Sequence, residues 1–196
     1  MDIRNIFLLI STIFGLITPI VGIISILKGE YKPQRITRLV IFVSTLFLIS
    51  TLYFQADRTE IYLAILQGLG SLAMLLLSIK YGVGGFSKFD ITVFVLALTT
   101  MIIWKVTKDP FLAMYLLILA DFIGYIPTII KTYNYPHTED WKFYLSDVFA
   151  SGFNLLATQE FIFSKIAFTF YIFFINIFGT SLVLLRRKIL DSKNNK

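Results

Sequence analysis

The chain has no cysteine, one histidine and only twelve acidic residues among 196. Without cysteine there are no disulfides and no thiolate metal sites. The lone histidine, His137, has no second histidine to share a metal with, so no metal ligands are assigned. Charge is scarce: 15% of residues are charged, against about 25% in soluble domains. No two acids stand at the spacing of a membrane protease or phosphatase, so the chain reads as no enzyme, with no catalytic residue. No cofactor is implied. Residues 166–185 contain no lysine, and without one a retinal Schiff base in the last apolar run is excluded.

What is abundant is apolar surface. Hydrophobic residues make up 57% of the chain, and mean hydropathy is +0.78. A soluble domain of this length could not bury so much, whereas lipid solvates outward apolar faces. The apolar runs are 5–27, 39–54, 61–79, 91–104, 111–130, 143–157 and 161–185. A helical span takes about 20 residues. Run two reaches that length if Ile36–Arg38 join the helix, and run six if it starts at Trp141. Run four is short and needs extension back towards Phe86. Pro110 suits the first turn of helix five. Run one is too long for a secretory signal and reads as a retained helix.

Charge gives the orientation. With seven spans and the N-terminus outside, inside segments hold 13 of the basic residues and outside segments five. Basic residues favour the cytoplasmic side. The net charge of +6 therefore reflects topology, and nucleic acid is not expected as a partner. The expectation is an integral protein of the cell (inner) membrane with a cytoplasmic C-terminus. Its partner is the lipid bilayer, and a homo-oligomer is compatible with the pattern. Trp104 and Trp141 read as anchors at opposite interfaces. Tyr81–Phe86 is rich in glycine, but no Lys-Ser/Thr pair follows it in frame, which argues against a phosphate loop.

An internal repeat is visible. Lys28 and Pro33 after helix one match Lys131 and Pro136 after helix five, at an offset of 103. Gln67-x-x-Gly70-Ser71 matches Asn176-x-x-Gly179-Thr180 at 109, and Ser44 matches Ser146 at 102. The predicted fold is all-α, seven transmembrane helices in a 3+1+3 parallel-repeat arrangement within one membrane domain (1–196). Residues 5–79 form the first three-helix unit, 91–104 the linker helix and 111–185 the second unit. In parallel repeats a substrate site commonly lies on the axis near midplane.

The segment from Gly124 to Tyr133, with Pro127 near the inner end of its helix, resembles the PQ-loop motif. The 3+1+3 plan with an amide on the third helix of each triplet is similar to SWEET sugar transporters and related PQ-loop proteins. That resemblance implies a transporter or facilitator of a small polar solute at the interface of the repeats. There are departures: Thr128 replaces the glutamine of the motif, Ile20 follows Pro19, and the literal Pro33-Gln34 falls in a loop. The chain also resembles bacterial seven-span proteins of unassigned function in Lys32-Pro33-Gln34-Arg35-x-Thr37 and Tyr135-Pro136-x-Thr138-Glu139, and this carries no activity with it.

The candidate solute-binding residues are Asp121, Gln67, Asn176 and Asn154. A carboxyl at midplane is costly and by default functional; the other readings of Asp121 are a proton-coupling group or a structural acid between helices. Amides can donate to and accept from a neutral polar solute, and they can equally bond between helices. Pro19 and Pro127 interrupt helical hydrogen bonding and read as hinges or as static kinks. The glycines Gly68, Gly70 and Gly179 read as close-packing positions. The alternative to transport is a receptor or scaffold of the same fold, which a charged pocket open to one side would mark.

Overall fold

Helix length follows from the apolar runs and from what stops them. The computed structural model describes residues 2–54, 58–85, 87–107, 110–158 and 163–194. Among the described residues the chain is all-helical, with seven α-helices: α1 (Ile3–Leu27), α2 (Arg35–Phe54), α3 (Arg58–Tyr81), α4 (Lys88–Thr107), α5 (Pro110–Asn134), α6 (Trp141–Ala157) and α7 (Phe163–Asn194). A 3-10 turn, Pro136–Thr138, precedes α6. Arg35–Arg38 bring α2 to 20 residues and α6 begins at Trp141, as expected. Helix α4 starts at Lys88 rather than at Phe86, and reaches 20 residues by gaining three at each end of its apolar run. Asp140 caps α6, its Oδ1 accepting from the Lys142 amide at 2.9 Å, which satisfies an amide the helix start leaves open. The run boundaries at 55–57 and 161–162, Phe86 and the Trp104 side chain lie outside the described residues.

Among the described residues, three helices are long and apolar enough to cross a membrane: Ile3–Leu27, Met114–Asn134 and Ile166–Lys193. The packing of α1 is the reverse of a soluble helix. Its buried residues are Ser11, Thr18, Gly22, Ser25 and Ile26. Its exposed face carries Ile3, Leu9, Ile13, Ile20, Ile24 and Leu27. Small residues inside and large apolar ones outside suit a helix whose outer solvent is lipid.

Contacts divide the chain into two compact units, Met1–Tyr31 with Ile129–Lys196, and Lys32–Thr128. The first unit holds α1, α6, α7 and the end of α5. The second holds α2, α3, α4 and most of α5. This division follows packing rather than sequence order, and it does not bear on whether 5–79 superposes on 111–185.

In the first unit α1 runs antiparallel to α6. Phe14 lies against Phe149 and Phe153, at ring distances of 5.2 and 6.4 Å, and Phe7 lies 6.0 Å from Phe153. Between those rings the Ser11 hydroxyl donates to the Ala150 carbonyl at 2.8 Å. Gly152 admits the Phe173 ring of α7, since a Cβ there would stand 3.1 Å from it.

In the second unit α2 is the central helix. Val40, Ala97 and Ala120, from α2, α4 and α5, form its buried core, flanked by Val43, Phe47, Phe94 and Ile123. Gly124 lets α5 approach α2: a Cβ would fall 2.5 Å from Val40 Cγ1. Gly68 gives α3 the same closeness to Ile49 and Thr45, as the close-packing reading of this glycine expects. At the start of α2 the segment Pro33–Arg35 docks on the turn after α3. The Val83 amide donates to Pro33 O at 2.9 Å and the Arg35 amide to Val83 O at 3.1 Å. Gly84 has φ +73°, in the left-handed region, and lies under the Gln34 side chain. The glycine-rich turn is thus filled by the chain itself.

Candidate functional site

Two sets of polar residues stand out, one expected along the helices and one found at their ends. Asp121 is half-buried and is the twelfth of the 25 residues of α5. Gln67 lies on the exposed surface of α3. These two belong to the second unit. Asn154, half-buried on α6, and Asn176, buried on α7, belong to the first. The Asn176 amide nitrogen donates to Ile172 O at 2.9 Å, and Thr180 donates to Asn176 O at 2.8 Å. Asn176 therefore closes partly on its own helix, and the matched amides Gln67 and Asn176 differ in setting.

The hinge candidates are both inside helices. Beside Pro127, the Thr37 hydroxyl of α2 donates to Gly124 O at 2.7 Å, and the Thr128 hydroxyl donates to Thr37 at 2.9 Å. Hydroxyls commonly answer the backbone groups that a helical proline disturbs. Beside Pro19, the Thr18 hydroxyl donates to Phe14 O at 3.0 Å.

The second set sits in the first unit where α5 ends, α6 begins and the last turns of α7 lie. Glu139 is fully buried and pairs with Lys131, itself 8% exposed. The Tyr144 hydroxyl donates to the other Glu139 oxygen at 2.6 Å. Lys131 also lies over the Tyr31 ring at 5.4 Å, and Tyr31 stacks on Phe143 at 5.7 Å. Ser25 donates to Asp140 at 2.6 Å. Arg187 donates to Pro136 O at 3.1 Å and to Glu139 O, fastening α7 to the turn. A buried ion pair holds only when further hydrogen bonds surround it, and these partners supply them.

Next to this cluster is a cavity of about 210 Å³, lined by Glu30, His137, Glu139, Asp140, Lys142 and Arg187, with Trp141. It presents charges of both signs. His137 is exposed and faces Asp191 at 3.2 Å. Among the described residues no group of three histidines or acids could hold a metal ion. The sequence marks Lys131 as a topology and repeat position and Glu139 as part of a loop motif, and gives neither a buried role. The clue to their role was two adjacent acids, Glu139-Asp140, beside a helix start in a chain so poor in acid.

Compared with known proteins, the chain matches no family model, no curated protein and no solved structure.

Proposed function

We propose that this chain is a seven-span integral membrane protein, N-terminus outside, that moves a small polar solute. The observation that carries the reading is Asp121: a carboxyl half-buried midway along a helix apolar enough to span. Such groups are costly in a bilayer and mark ion or solute paths by default. Support for seven spans comes from the four further helices, of 17 to 24 residues, or about 25–36 Å at 1.5 Å per residue. The 3+1+3 parallel repeat and the PQ-loop resemblance belong to this proposal. Reporter fusions after Lys88 and Lys196 should both read cytoplasmic.

The test is solute uptake by proteoliposomes, across sugars, nucleosides, amino acids and vitamins. Asp121→Asn keeps shape and hydrogen bonding, so it should leave expression and melting temperature nearly unchanged while removing proton-linked uptake. Wild-type uptake with unchanged pH dependence in Asp121→Asn would reduce Asp121 to a structural acid. A second reading is favoured by the charged cavity at the end of the first unit: a receptor that binds a small solute bearing both charges and moves nothing. Saturable binding with flux equal to empty liposomes would select it.

A further inference from the structure

The last turns of α7 are charged on one side for the fold and on the other for something outside it. Helix α7 has 32 residues, about 48 Å of helix, against a hydrocarbon core of about 30 Å. Its apolar part ends at Leu185, and Arg186-Arg187-Lys188 follow. The two arginines diverge. Arg187 turns to the Pro136 and Glu139 carbonyls. Arg186 instead lies over the Tyr133 ring at 3.8 Å, its Nε donating to Tyr133 O at 2.9 Å. That contact fixes a guanidinium over the ring of a tyrosine that is 52% exposed as a residue.

Around Arg186 the helix surface mixes two chemistries. Leu185 and Ile189 are exposed, and so are Lys188 and Lys193. Arg186, Ile189 and Lys193 fall at i, i+3 and i+7, which is one stripe of a helix. Tyr135 is exposed near Tyr133 in sequence. The ion pairs found at this end are Lys131–Glu139 and His137–Asp191, and Arg186, Lys188 and Lys193 are in neither. Exposed leucine and isoleucine suit acyl chains, tyrosine suits the headgroup level, and lysine and arginine suit a phosphate. Water alone answers only the cations.

We infer that the end of α7, with Tyr133, is a headgroup site for an anionic phospholipid. Arg186 is the fixed phosphate donor, and Lys193, on the same stripe, supplies further positive charge. The inference rests on the membrane reading but not on any transported solute. Extraction from membranes by alkaline carbonate would remove the membrane reading itself, so the two failures are distinguishable.

The test uses the full chain, purified in neutral detergent and offered equal dioleoylphosphatidylglycerol and dioleoylphosphatidylcholine, with retained lipid counted by native mass spectrometry. The wild type should retain the phosphatidylglycerol preferentially. The double variant Arg186→Gln, Lys193→Gln should lose that preference, by about fivefold for each charge removed. Arg4→Gln, at the far end of α1, should keep it. Lys193→Gln alone, on an exposed helix surface, gives a readable partial loss if the double variant does not fold. Equal retention of both lipids by the wild type overturns the inference, as does a Lys193→Gln variant that retains lipid like wild type or an Arg4→Gln variant that loses as much. Displacement of the lipid by millimolar inorganic phosphate would reassign the patch to a free anion.

Discussion

The loop after α1 and the loop after α5 share the spacing Lys, four residues, Pro, yet different chemistry holds each. The first is fastened through hydrogen bonds in each of which at least one partner is neutral. Pro33 and Arg35 exchange backbone hydrogen bonds with Val83. The Gln34 amide donates to Asp90 at 3.2 Å, and Arg35 donates to the Ser78 and Ile79 carbonyls at 3.1 and 3.3 Å. The second loop is fastened through a buried Lys131–Glu139 pair and an arginine from α7. A backbone ladder tolerates changes of side chain. A buried ion pair does not, because losing one partner strands a charge in low dielectric. Matching letters therefore record similar turns and not similar energetics.

The largest effect should come from stranding that charge. Lys131→Met leaves Glu139 buried without its cation, at a cost of about 3–5 kcal/mol. The melting temperature in detergent should fall on the order of 10 °C. Adding Glu139→Gln should recover most of the loss. A Lys131→Met melt close to wild type would erase the contrast between the loops.

Next comes a place where the docking of the first loop depends on backbone shape. Gly84→Ala forces a left-handed φ on a residue with a Cβ, which would stand 1.8 Å from Gln34 Oε1. Left-handed strain of this kind costs about 1–3 kcal/mol. Gln34→Ala in the same chain should relieve the clash but not the strain, so the double variant should melt between Gly84→Ala and wild type. Additive losses would show that Gln34 does not sit over Gly84 in solution.

The smallest effect should be at the rim of the second loop. His137 and Asp191 are more than half exposed, and exposed pairs contribute about 0–1 kcal/mol. His137→Gln should move the melt by a degree or two at most, and raised salt should abolish even that. A loss rivalling Lys131→Met would mean that charge outside the buried core governs this loop.

Much of the helix inventory was legible. The starts of α2 near Ile36 and of α6 at Trp141 follow from the length a helix needs, and Pro110 marks the first turn of α5. The close-packing role of Gly68 was legible too, since a residue without a side chain inside an apolar run has few other uses. The polar ends were not. Lys131 and Glu139 are eight residues apart across a proline turn, and no periodicity announces that they meet. Gln34 was visible as a letter pair with Pro33, but not as a side chain laid over Gly84 and bonded to Asp90, 56 residues away.

The sequence by itself determined that this chain is helical and that its outward surface is apolar, because composition and run length are local properties and each helix closes its own hydrogen bonds. Only the tertiary structure decided that α6 packs against both α1 and α7 while α2 gathers α3, α4 and α5. Every one of these helices is apolar on several faces, so hydropathy cannot choose partners for them. The choice falls to small residues that permit close approach, as at Gly124 against Val40 and Gly152 against Phe173. It falls equally to the few polar groups that need a partner, as at Ser11, Ser25 and Lys131.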